Sequence, residues 1–284
     1  MSIFSLLRLS ASGLLLSLLL EGCAGGRGGD AQEFQTLFDK GRAYLERGNA
    51  QMALPPLQQA NLLQPGNPDL LRLLGLAYDQ VERPVQALES LEEARRLRPG
   101  DEELNNNLGV ARLRVYALSC PDRESAACQK LLDQAEEAFQ AALRVTPLRG
   151  SEGVWFNLAL LHKQRGQWRQ MLAALEKSLE ISGQYLPARL ELAEYYREMR
   201  LFDLERQQLR SALAAHPDHV VVLERLVDAL LGTKEAGLSG ARPDFSPGEV
   251  AEIRLLLSRI LSLAPGTEAA QRASQRIILL DKRR

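Results

Sequence analysis

Residues 38–66 read "FDKGRAYLERGNAQMALPPLQQANLLQPG" and residues 73–100 read "LLGLAYDQVERPVQALESLEEARRLRPG". Gly41, Tyr44, Ala53, Leu57, Ala60 and Pro65 of the first recur thirty-four residues later as Gly75, Tyr78, Ala87, Leu91, Ala94 and Pro99. A fixed period of this length marks a structural repeat, and its residue types say what the repeat builds. Gly41 and Ala53 are small enough for two helices to approach closely. Tyr44 and Leu57 fill the space beside them, and Pro65 stops the second helix. One such hairpin cannot cover its own apolar face, so stacking on neighbours must do it.

The register continues downstream with insertions. Leu108 and Gly109 open a third unit, whose Ala135, Phe139, Ala142 and Pro147 arrive fourteen residues late. A fourth runs through Trp155, Leu158, Ala159, Leu175 and Ser178, and a fifth through Leu192, Ala193, Tyr196, Leu209, Ala212 and Pro217. The sixth begins at Leu223 and Leu226, takes a second fourteen-residue insertion, and resumes with Ile253, Leu257, Ile260 and Pro265. Ser246-Pro247-Gly248-Glu249 carries the elements of a capping box with proline at the first helical position, which predicts a helix start there. An amphipathic segment near 268–280 is expected to cap the stack. No segment alternates with period two, so almost no strand is expected.

These spacings resemble the tetratricopeptide repeat over residues 34–265. The resemblance implies an all-α, right-handed superhelical solenoid of about six helical hairpins plus a C-terminal capping helix. It makes 34–284 a single repeat domain with insertions near 117–130 and 232–248. In such a stack the first helix of each hairpin lines the concave face. The residue three before and the residue one after the small packing residue then share that face. This selects Phe38 with Arg42, Arg72 with Leu76, Asn106 with Val110, Phe156 with Leu160, and Leu190 with Glu194, with Leu45 and Leu113 one turn further on. Phe38, Leu76, Val110, Leu113, Phe156, Leu160 and Leu190 are the expected partner-binding residues. Phe38 stands where a groove for acidic tails would want a cation, so an amphipathic or largely apolar peptide is the better fit. The alternative is that some of these side chains are half buried between adjacent first helices.

The N-terminus reads as an address. "LSASGLLLSLLL", Leu9–Leu20, follows Arg8 and is too short for the roughly 20 apolar residues of a membrane span. A basic start, an apolar run and small residues after it describe an export signal. Leu20-Glu21-Gly22-Cys23 resembles the lipobox of bacterial lipoproteins, with Glu21 the departure from that pattern. The resemblance implies a signal peptide over 1–22, cleavage before Cys23 and lipid on its thiol. Ordinary cleavage after Ala24, or a retained anchor, are the alternatives. The glycine-rich stretch that follows Cys23, up to residue 33, is expected to be a flexible tether. Ala24 after the cysteine implies the outer membrane, periplasmic face. With Cys23 lipidated, Cys120 and Cys128 form an even pair in an oxidising compartment, and a disulfide closing a short loop is preferred over two thiols tucked under helices.

Composition and motif content point away from catalysis. At 284 residues, 45% hydrophobic and 25% charged, the chain has the make-up of a folded globular protein. A formal net charge of -1 offers no general attraction to nucleic acid. His162, His216 and His219 are the only histidines, and "HPDH" (216–219) sits where a turn between repeats is expected. No phosphate loop, serine elbow or zinc-protease string is present, so no enzyme activity, no cofactor beyond the lipid, no metal and no small-molecule substrate are expected. Asn107, Asn157, Trp155, Trp168, Tyr78 and Phe202 read as packing residues of the repeat. A lipobox, a short tether and six such repeats together look like the type IV pilus pilotin family, whose members assist secretin assembly. That resemblance implies an outer-membrane secretin or another envelope-complex subunit as partner. An adaptor for peptidoglycan enzymes, or for a gliding or secretion complex, is the alternative within the same fold.

Overall fold

The computed structural model describes the backbone of residues 11–145, 150–235 and 245–281, and the side chains within these ranges from residue 29 onward except 233–235. Among the described residues the secondary structure is thirteen α-helices and no strand. They run α1 (Ala11–Glu46), α2 (Ala50–Leu63), α3 (Pro68–Gln80), α4 (Pro84–Leu97), α5 (Glu102–Ser119) and α6 (Ala126–Val145). Then follow α7 (Glu152–Gln164), α8 (Trp168–Ile181), α9 (Leu186–Glu198), α10 (Phe202–Ala215), α11 (Val220–Glu235), α12 (Pro247–Leu263) and α13 (Glu268–Asp281). The chain divides into two compact units, Met1–Thr146 and Pro147–Arg284.

In the first unit three hairpins, α1/α2, α3/α4 and α5/α6, stack so that each second helix also meets the next first helix. The second unit repeats this with α7/α8, α9/α10 and α11/α12, and α13 packs on α12. The period seen in the sequence is the period of the packing. Leu57, Leu91 and Phe139 press against Gly41, Gly75 and Gly109. Ala53, Ala60, Ala87, Ala94, Ala142 and Ala212 are fully buried, because only small side chains fit between helices this close. Ser178 takes the alanine's place in the fourth hairpin, and its hydroxyl donates to the Glu152 carbonyl at 2.8 Å, so the buried polar group is satisfied.

Helix ends follow local chemistry. Asn49, Asn67 and Asp101 accept backbone N–H bonds at the starts of α2, α3 and α5. Ser246 and Glu249 form the expected reciprocal capping box ahead of α12, with Pro247 as its first residue. The turn inside a hairpin needs one residue with positive φ. Gly48 and Gly166 supply it in two hairpins, whereas Glu82 and Arg200, each thirty-four residues on, adopt φ 59° without glycine's freedom. Pro55 and Pro56 lie inside α2, which tolerates two missing N–H donors while Pro56 and Leu57 are buried in the hairpin.

Two segments lengthen the helices of the repeat. The fourteen extra residues near 117–130 mostly extend helices: α5 has 18 residues against 13 in α3, α6 has 20 against 14 in α4, and six residues instead of three join them. Tyr116, Cys128 and Leu132 form a small core inside this extension. Cys120 and Cys128 are joined by a disulfide, with Cα atoms 5.9 Å apart. At the N-terminus α1 is unbroken from Ala11, so 23–33 is helical where a flexible tether was expected. The hairpin supplies the nucleus for this extension, while Gly25, Gly26, Gly28 and Gly29 each oppose it by about 1 kcal/mol relative to alanine. Residues 29–33 of this extension are exposed. Among the described residues no helix is long and apolar enough to cross a membrane. In the second insertion, α11 reaches Glu235 and α12 begins at Pro247, while 236–244 lie outside the described residues.

Candidate functional site

The first helices of the first unit, α1, α3 and α5, carry Phe38, Leu76, Val110 and Leu113, and all four are half-buried. Phe38 stacks on Phe34 with ring centroids 5.8 Å apart, and the Arg42 guanidinium lies 5.7 Å above its ring. Leu76 and Phe38 lean on the core that holds Leu70, Leu73 and Leu74, while Leu113 leans on Tyr116 and Leu132. Ion pairs frame the apolar row and tie neighbouring first helices together. Arg72 meets Glu103 at 2.6 Å, and Arg114 meets Asp79 at 2.9 Å. The result is an apolar strip bordered by paired charges, suited to an amphipathic segment whose polar edges can exchange hydrogen bonds with the border.

The second unit builds a different face. Phe156 and Leu160 on α7 and Leu190 on α9 are half-buried; Phe156 meets Tyr185 edge to face at 5.8 Å, and Leu190 packs against the core of α11 and α12. Burial pushes the Tyr185 phenol above its ordinary value, and the nearby Glu152 charge adds to this. From α9 onward one face is ionic, built by pairs between α7 and α9 and between α11 and α13. Lys163 of α7 bonds Glu191 at 2.6 Å and Glu194 at 3.5 Å. Burial alone would lower the Lys163 ammonium, but Glu191, Glu194 and Glu198 more than offset that and hold it above the usual lysine value. Arg272 bonds Glu224 at 2.9 Å, and Arg276 bonds Asp228.

A cavity of about 450 Å³ opens among α9, α10 and α11, lined by Glu194, Arg197, Glu198, Arg225 and Asp228 over a floor of Ala193, Leu209 and Glu205. Glu205 is only 2% exposed and is held by Arg197 at 2.8 Å. The seven residues selected from the sequence therefore fall into two sets, one on each unit, and the charged face from α9 onward was not among them. The spacing of Glu191, Glu194 and Glu198, three and then four residues apart on one helix, was the signal that could have found it.

Other residues singled out by the sequence are turn and packing groups. The His216 ring nitrogen Nε2 lies 3.0 Å from the Gln184 carbonyl, and His162 Nδ1 lies 2.8 Å from Gln167 Oε1. No cluster of three or more potential metal ligands occurs among the described residues. Trp168 corrects its expectation: it is 41% exposed, because it stands at the start of α8, where its ring meets that of Tyr195 at 6.1 Å between centroids with the planes tilted by 33°. Asn105 and Arg112 are among the buried polar groups that the spacing did not mark. Asn105 donates to the carbonyls of Pro99 and Asp101, closing the turn before α5. Arg112, 2% exposed, donates to the Gln134 carbonyl at 3.0 Å and to Glu92 at 3.1 Å.

Known proteins share this architecture. No protein-family model matches the chain, and no curated protein sequence matches it. Among solved structures, the chain is similar to PilF of Pseudomonas aeruginosa, with 19% identity and a TM-score of 0.57 over 87% of this chain and 99% of that one. It is similar to PilW, a widely conserved type IV pilus biogenesis factor, with 17% identity and a TM-score of 0.58 over 84% of this chain and 97% of that one. It is also similar to a thermophilic tetratricopeptide-repeat protein of Thermus thermophilus, with 24% identity and a TM-score of 0.61 over 70% and 99% of the two chains. The fold is accordingly that of tetratricopeptide-repeat proteins, an all-α solenoid of stacked helical hairpins.

Proposed function

We propose that this protein is a non-catalytic scaffold that binds a partner protein segment along its first-helix faces and assists assembly of an envelope machine, with type IV pilus secretin assembly as the leading role. The observation that carries the reading is the row of Phe38, Leu76, Val110 and Leu113 on three successive first helices, half-buried and bordered by the Arg72–Glu103 and Arg114–Asp79 pairs. An apolar row framed by exchangeable polar pairs recognises an amphipathic or hydrophobic segment. Similarity to PilF and PilW across nearly the whole length of each supports the choice of machine. In this reading Cys23 carries lipid, the signal over 1–22 is removed, and the protein sits at the periplasmic face of the outer membrane.

The reading is tested by placing a photocrosslinking side chain at position 76 in cells and identifying what it captures. A secretin segment is expected, and Leu76→Glu with Val110→Glu should weaken the association by at least about ten-fold while the helical circular dichroism is retained. Capture of cell-wall enzymes instead would favour the adaptor role. An unchanged association in the double variant would remove the groove from the function. Mass spectrometry of the mature N-terminus tests the anchor separately, since an unmodified Cys23 would rule it out.

A further inference from the structure

We infer that the turn edge of the second unit, where α7 passes into α8 and α9 into α10, docks onto an anionic lipid surface. Large apolar side chains emerge here at chain reversals, away from the first-helix faces. Trp168, Met199, Leu201 and Leu204 are 41%, 45%, 47% and 38% exposed. Trp168 lies 6.1 Å from Tyr195, and Tyr195 lies 5.8 Å from Tyr196, so the tryptophan is the outermost ring of a short aromatic chain. At the α9/α10 turn Arg200, Leu201, Phe202, Asp203, Leu204 and Arg206 line an open depression of about 420 Å³.

The α7/α8 turn is basic, with no acidic residue of its own, while the α9/α10 turn carries both signs. Between residues 153 and 175 there is no Asp or Glu, while Arg165 and Arg169 fall in that stretch together with Lys163, which Glu191 and Glu194 of α9 engage. Arg169 and Arg200 are exposed and flank the apolar groups in sequence. The nearby carboxylates of Asp203 and Glu205 are engaged by Arg206 and Arg197. Exposed Glu198 is the other carboxylate of this turn, and it lines the cavity among α9, α10 and α11.

Tryptophan and tyrosine favour the boundary between water and hydrocarbon, and arginine reaches from that boundary to phosphate. A set of short protrusions at turns meets a plane. It has neither the i, i+4 seam that seats a partner helix nor a free strand edge for an added strand, and this favours lipid over a protein occupant. The contact is independent of the groove reading and does not require Cys23 to be acylated.

The test uses the full chain carrying Cys23→Ser, so that no acyl group contributes, and Trp155→Phe, which leaves Trp168 as the sole tryptophan. It is mixed with phosphatidylcholine vesicles with or without phosphatidylglycerol, their acyl chains brominated or plain. The expected result is a blue shift of Trp168 emission and quenching by brominated lipid, both stronger with phosphatidylglycerol. Adding Leu201→Gln and Leu204→Gln should weaken the Trp168 response roughly ten-fold, and Arg169→Gln with Arg200→Gln should abolish its dependence on phosphatidylglycerol. All four residues are exposed, so the variants should keep the parent unfolding midpoint. Trp168 emission unaltered by vesicles, as expected if a protein covers this edge, would overturn the inference, and so would quenching that survives the Leu201 and Leu204 changes.

Discussion

A β-carbon built on Gly75 would stand 2.5 Å from Cγ of Leu91, well inside the contact distance of two carbon atoms. The same encounter recurs one period earlier between Gly41 and Leu57 at 2.4 Å, and one later between Gly109 and Phe139 at 2.4 Å. The glycine sets the separation of the two helices in each hairpin of the first unit. Gly75→Ala should destabilise the protein by about 1–3 kcal/mol through overpacking. Leu91→Ala in the same chain should recover part of that loss, giving a coupling term in a double-mutant cycle followed by urea unfolding. A neutral Gly75→Ala would mean that the helices are free to separate.

Glu82 and Arg200 occupy the turn position that Gly48 and Gly166 fill in other hairpins, at φ 59°. A non-glycine residue there costs about 1–3 kcal/mol, of which glycine's larger entropy loss returns about 0.5–1. Glu82→Gly and Arg200→Gly should each raise the unfolding midpoint. The reverse change, Gly48→Ala, should lower it although no atom lies within 4 Å of the added carbon, because the penalty is in the backbone. Thermal melts of the three variants decide the sign.

Cleaving the Cys120–Cys128 disulfide opens a loop of sequence separation 8, worth about 2–3 kcal/mol on the chain-entropy model. The loss should be local, since the bridge closes the tip of α5 and α6 around Tyr116 and Leu132. Hydrogen exchange of the Cys120→Ser, Cys128→Ser variant should accelerate within 116–132 well before the core around Leu57 and Leu70 opens.

Arg112 is buried, and burial lowers its guanidinium from the ordinary arginine value, with Glu92 partly restoring it. Its Nε has no partner. A buried cation of this kind costs more to strand than to replace. Glu92→Ala should therefore destabilise by about 1–2 kcal/mol, and Arg112→Met should be near neutral or stabilising. Denaturant midpoints of the two variants rank them, and a larger loss for Arg112→Met would show that the Gln134 carbonyl contact dominates.

The sequence made the hairpins legible because their packing rests on a few small residues at fixed intervals, and Gly41, Ala53, Gly75 and Ala87 announce themselves by size alone. Ser246 and Glu249 were equally legible, since a capping box is a local device. What depended on neighbours distant in the chain was hidden. Burial of Arg112 requires α4, α5 and α6 together, and the ionic face from α9 onward is assembled by partners such as Glu224 and Arg272, 48 residues apart. The half-burial of Phe38 and Leu190, which the spacing left open as the alternative, reflects packing on the core of α2 and α3 and on that of α11 and α12. The extra residues near Cys120 read in the sequence only as an insertion, because insertion length alone does not say whether the added chain continues the helix.

The lengthened α5/α6 pair shows how such a chain can change size without losing its order. Its added turns bring their own ring, their own sulfur bridge and their own sealing leucine, so nothing in the adjoining layers is asked to move. An outgrowth of this kind behaves like a graft. It could be pared back to the parental length, or exchanged for another, and the rows beneath would keep their places.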